Sequence, residues 1–153
     1  MERALLDLHS SLRWIILLFL LLLLVKSWSS KPFSGGDRRI ALILLISAHL
    51  TLVIGLYQWL FGRYGILVTS LPAGVQLMKD TFYRFYWVEH PFGMVVGITL
   101  ITMAYGRVKR GVGQTPKKKG AAWLLLVALV IILGTIPWPF MMGGVGRPLL
   151  PGT

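Results

Sequence analysis

The sequence predicts an all-α integral membrane four-helix bundle with both termini on the outer side, and three observations carry that expectation. First, the 153 residues are 56% hydrophobic and only 14% charged, with a mean hydropathy of +0.73. A soluble domain of this size runs about 25% charged, so too few polar residues are present to coat a water-facing surface. Second, the apolar residues gather into runs close to the roughly 20 residues that cross a hydrocarbon core. Third, Lys and Arg divide unevenly between alternate connections, as they do when one side of a bundle faces the cytoplasm.

Four spans follow in order within a single transmembrane domain of residues 1–153. The first covers about 4–25, and the second covers 40–61 with no charge inside it. The third has a charge-free part, Pro91 to Tyr105, too short to cross alone. It is therefore expected over about 85–105, which draws Glu89 and His90 into the apolar zone. The fourth covers 121–140 and is again free of charge. In lipid each backbone group must be paired within its segment, so every span is expected to be helical. Ser29-Ser30-Lys31-Pro32 breaks the first helix, and Ser34-Gly35-Gly36-Asp37 leads into the second. Gly111-Val112-Gly113-Gln114-Thr115-Pro116 separates spans three and four. Pro137 and Pro139 end the fourth helix ahead of a Gly/Pro-rich tail.

The links between spans one and two and between three and four hold ten basic residues: Lys26, Lys31, Arg38, Arg39, Arg107, Lys109, Arg110, Lys117, Lys118 and Lys119. The opposite side holds five, Arg3, Arg63, Lys79, Arg84 and Arg147, with Arg13 inside span one. Both links are thus expected in the cytoplasm of a bacterial inner membrane, and both termini outside it. Trp28, Tyr105 and Trp123 suit the inner interface; Trp59, Tyr64 and Trp138 suit the outer one. A cleaved signal peptide is disfavoured, because Glu2 and Asp7 spoil a positive n-region and no A-x-A site follows.

Absences narrow the chemistry. Without cysteine, disulfides, thiolate zinc sites, iron–sulfur clusters and CxxCH haem attachment are excluded. The net charge of +11 would suggest nucleic acid in a soluble chain. No phosphate loop, nucleic-acid module or aromatic platform accompanies it, so nucleic acid is not an expected partner. No Ser–His–Asp order, HExxH motif or paired carboxylates point to stand-alone catalysis.

What remains is His9, His49 and His90, all inside spans, where ionisable or ligating residues are rare enough to be functional candidates. At about 1.5 Å rise per residue, His9 lies roughly 24 Å and His90 roughly 22 Å from the inner ends of their helices, and His49 only about 14 Å. His9 and His90 are therefore level. Spans one and three run in the same direction and sit diagonally in a simple bundle, an arrangement in which one haem fits between two axial imidazoles. Arg13 and Arg84 lie close enough to pair with haem propionates or an anionic headgroup. Tyr86, His90, Gly93 and Gly97 share a face at helical spacing. The glycines suit either a close helix contact or the approach of a flat macrocycle, and Pro91 frees a carbonyl one turn back. Lys79, Asp80 and Arg84 could hold an anionic lipid or serve as solvated anchors.

The same residues also allow structural readings. Histidines in lipid can simply hydrogen-bond across helices, and Arg3–Asp7 and Asp80–Arg84 have ordinary i,i+4 spacing. His49 has no level partner; its functional alternatives are proton relay or quinone binding. Three functional classes thus remain: a haem protein exchanging electrons with quinol or a respiratory partner, a cofactor-free accessory subunit of a larger membrane complex, and a quinone- or lipid-binding helper.

Several short segments in order carry a family resemblance: Leu8-His9-Ser10 with Arg13-Trp14, Ala48-His49-Leu50 with Gly55 and Gln58-Trp59, Met78-Lys79-Asp80 with Arg84-Phe85, Glu89-His90, and Ile136-Pro137-Trp138-Pro139-Phe140. Across nearly the whole chain they resemble small bacterial four-span proteins labelled cytochrome b. That resemblance implies b-type haem binding and a link to quinone or a respiratory chain. The chain departs from membrane cytochromes of the b561 type, which hold two haems with four histidines; three histidines allow at most one bis-histidine haem.

Overall fold

The structure, a computed structural model, describes residues 2–113 and 119–149. Its architecture among these residues is all-helical: α1 (Glu2–Trp28), α2 (Gly35–Phe61), α3 (Thr81–Arg110) and α4 (Lys119–Thr135). The first three are long and apolar enough to cross a membrane, and the 17-residue α4 is a shorter apolar helix. Part of the expected link between the third and fourth spans, 114–118 with Lys117 and Lys118, and the tail beyond 149 lie outside the described residues.

Each helix pair that is consecutive in sequence is adjacent in space, and α1 also packs on α4, so the four close into a ring with α1 and α3 on the diagonal. One end of the ring, here the basic end, gathers the 29–34 and 111–113 links. There Phe33 is buried and its carbonyl accepts from Gly113 N–H at 3.0 Å. The other end gathers the first turn of α1, the 62–80 loop and the 136–149 segment: Glu2 Oε1 accepts from Arg63 N–H at 2.6 Å, and Leu149 carbonyl accepts from Arg13 and Trp14.

The ends of the helices have local causes. Ser34 caps α2 reciprocally with Asp37: its Oγ accepts from Asp37 N–H at 3.2 Å, and Asp37 Oδ2 accepts from Ser34 N–H at 2.7 Å. The buried Asp37 also sits 3.8 Å from Lys26 at the close of α1. Asp80 caps α3 by accepting from Tyr83 N–H at 3.0 Å, so α3 begins four residues before the expected start near 85. The apolar run taken as 121–140 stays helical only to Thr135, because Pro137 and Pro139 have no amide to continue the ladder.

The helices are apolar on nearly all sides. Leu20, Leu23, Leu44, Ile101, Val108 and Leu125 fill the interior with at most 1% exposure. Ala41, Ala48, Ala104, Ala121 and Ala128 bring the backbones close there. Yet Leu18, Ile46, Val53 and Val130 point outward and are more than half exposed. Such all-round apolar surface is what helices long and apolar enough to cross a membrane present, as α1, α2 and α3 are. Replacing Ser34 with Ala should destabilise the bundle by about 1 kcal/mol through loss of the cap, read as a lowered thermal midpoint in detergent with helical content retained.

Candidate functional site

Packing is dense at the basic end and opens towards the other end into a cavity of about 730 Å³. Its floor is apolar, made by Ile16, Leu52, Met94, Ile98, Ile132 and Ile136. His9 of α1 and His90 of α3 both line it, with ring centroids 6.2 Å apart and planes inclined at 57°. The two level histidines thus meet across the diagonal of the ring.

His90 is placed by two departures from ordinary helix geometry. Residues Phe85–Glu89 form a π-helical turn, so that His90 N–H reaches back five residues to the Phe85 carbonyl. Such wide turns concentrate at functional sites. Next to it, Pro91 cannot donate to Trp87, and the freed carbonyl accepts from Trp59 Nε1 at 3.1 Å. The His90 ring then finds an acceptor on α4: Nδ1 lies 2.6 Å from the Thr135 carbonyl. That carbonyl is open because its amide partner four residues on would be Pro139. A carbonyl only accepts, so Nδ1 carries a proton, and in a neutral imidazole that leaves Nε2 as the basic nitrogen.

His9 is held differently. Its Nδ1–Cε1 edge lies on α2 at Gly55, where a Cβ would stand 3.1 Å from Cε1 and 3.7 Å from Nδ1. Nδ1 is buried and makes no hydrogen bond. A side chain at position 55 would press on the ring, which would have to give by a few tenths of an ångström.

Of the other expected site residues, Arg13 and Tyr86 line the cavity. Arg13 donates to the Leu149 carbonyl at 2.7 Å, and the Tyr86 hydroxyl donates to the Val145 carbonyl at 2.6 Å. Gly93 and Gly97 instead face α4. A Cβ on Gly93 would collide with the Thr135 side chain, and one on Gly97 would come 2.9 Å from Ile132 Cγ1. They close the α3–α4 seam and bring Thr135 within reach of His90. Arg84 does not line the cavity. It pairs with Glu89 at 2.7 Å, a five-residue spacing made possible by the π turn, whereas Asp80 is engaged as a cap. His49 sits on the exposed face of α2, its Nδ1 2.9 Å from the Leu45 carbonyl of its own helix.

The residues that sequence reasoning passed over are Thr135, Arg63, Arg147 and the pocket role of Gln58. A partial signal existed for two of them. Pro139 marks the Thr135 carbonyl as open, and Gln58 is a polar residue within a charge-free run. Among the described residues no group of three or more His, Asp or Glu could hold a metal ion, so the imidazole pair would need a metal that brings further ligands with it.

Comparison with protein-family models, with curated proteins and with solved structures gives no match. The site therefore rests on its own geometry. Gly93→Val should force α4 away at Thr135, destabilising the fold by about 1–3 kcal/mol and releasing His90. A lowered thermal midpoint together with a changed His90 ring resonance would register both effects.

Proposed function

We propose that the protein is a multi-pass b-type haem protein of a bacterial inner membrane, with His9 and His90 as the axial ligands of a single haem and both chain ends on the extracytoplasmic side. The 6.2 Å separation of the two rings across the cavity carries this reading. With metal–imidazole bonds of about 2 Å, His9 and His90 at this separation could hold one metal between them, and haem would supply it. The cavity of about 730 Å³ is also in the range of cofactor-sized sites.

Haem supplies reversible one-electron chemistry when bound. The chain's own residues fit that use. Thr135 fixes the tautomer and orientation of His90, the outer-shell device that ligating histidines ordinarily need. Gly55 leaves room for His9. The isoleucines and Met94 give the cavity an apolar floor. Electron exchange with quinol or a respiratory subunit follows as the role, with lipid around the bundle. The helices' apolar outer surfaces and the basic residues grouped at one end support the membrane placement and its direction.

A second reading draws on the His90–Thr135 bond alone, which would serve equally as polar glue in a cofactor-free accessory subunit. The two differ in colour. The purified full chain should give a sharp b-type α band in a reduced-minus-oxidised spectrum, lost in His9→Ala and in His90→Ala and kept in His49→Ala. A colourless protein, or a band that survives the double substitution, rejects the haem reading.

A further inference from the structure

The cavity wall is charged in a way that the imidazole pair does not explain. Arg3, Arg13, Arg63 and Arg147 line it, against the acids Glu2 and Asp7, and no lysine does. Two positive charges are thus in excess over the acids. The side chains of Arg13, Arg147 and Arg63 meet neutral groups, while the Arg63 backbone amide donates to the Glu2 carboxylate. Arg13 donates to the Leu149 carbonyl and lies 5.2 Å from the Trp14 ring centre. Arg147 donates to the carbonyls of Gly144 and Gly146 and lies 5.1 Å from the centre of the Tyr86 ring. Arg63 lies 5.6 Å from the centre of the Tyr64 ring. Carbonyls and aromatic faces leave the charge in place.

Two buried donors in the same wall have no acceptor, Arg13 Nε and Gln58 Nε2. A buried N–H without a partner is costly, so a ligand that supplies oxygen atoms there gains hydrogen bonds these donors otherwise do not make. Arginine is suited to this because its planar fork matches a carboxylate bidentately, where lysine offers a point charge. The floor is apolar and all four arginines lie above it, three of them on the segments that gather at the open end.

We infer that this wall is a carboxylate-binding subsite, and that the cavity selects a dianionic ligand oriented with its acidic edge towards Arg13, Gln58 and Arg147 and its apolar edge on the isoleucine floor. The inference rests on the haem reading and deepens it by assigning the ligand's charge and orientation. It also assigns Gln58 and Arg147 as specificity-determining residues.

The test compares two probes on the purified full chain in detergent after extraction of pigment: haemin, which carries two free carboxylates, and its dimethyl ester, which carries none. Binding is followed by quenching of tryptophan fluorescence and by the absorption spectrum. Wild type should bind haemin about tenfold or more tightly than the ester. Gln58→Leu and Arg147→Gln should each erode that preference while keeping the bis-histidine spectrum, and Arg13→Gln should erode it furthest. His90→Ala should lose the spectrum yet keep the preference. Equal affinity for the two probes with a normal bis-histidine spectrum overturns the subsite alone. So does a preference untouched by Gln58→Leu and Arg147→Gln when both variants unfold at the wild-type temperature. Failure to bind either probe overturns the haem reading and the subsite together.

Discussion

A carbonyl inside a helix needs an amide four residues on, and proline has none to give. In an apolar interior the orphaned oxygen must find another donor, and this constraint arranges the open half of the molecule. Pro91 leaves the Trp87 carbonyl to Trp59 Nε1, and Pro137 leaves the Leu133 carbonyl to Trp138 Nε1. Pro139 leaves the Thr135 carbonyl to His90 Nδ1. Three prolines thus bring two indoles and one imidazole to defined positions, and each bond ties one segment to another or closes a helix end. His90 is oriented less by its own helix than by the end of α4.

The division of the bundle into a dense half and a hollow half follows from residue size and polarity. Alanines and interdigitating leucines let the helices meet at the basic end, where Leu20, Leu44, Ala48, Ala104 and Leu125 are almost wholly buried. Towards the other end those small apolar layers give way to His9, Arg13, Gln58, Tyr86 and His90, which do not interlock, and the cavity opens between them. The loop of 62–80 and the segment of 136–149 gather around that end through backbone hydrogen bonds, such as Ile66 to Trp59 and Arg147 to Pro137.

Much of this arrangement was legible in the amino-acid order. Counting rise per residue from the charged links put His9 and His90 level, and the ring of helices sets their helices diagonally as expected. Pro91 announced the open Trp87 carbonyl. Helix ends were less legible where hydropathy and hydrogen bonding disagree: the apolar run reaches Phe140 although the helix stops at Thr135, and Asp80 starts α3 ahead of the apolar stretch. Arg84 shows a second limit. Ordinary helical spacing pairs it with Asp80, but the π turn shifts the register by one residue and gives it Glu89. Such a turn has no marker in composition or periodicity. Arg147 and Thr135 escaped notice because their relation to the site depends on the path of the chain after α4.

The account stands on the convergence of two imidazoles across the diagonal of the ring, and that can be measured without any cofactor. In a His49→Gln variant carrying carbon-13 and nitrogen-15 labelled histidine, His9 and His90 are the two labelled residues left. Solid-state NMR of this protein in lipid should show dipolar transfer between the two rings, consistent with centroids 6.2 Å apart. Two isolated imidazoles with no transfer between them would contradict the account.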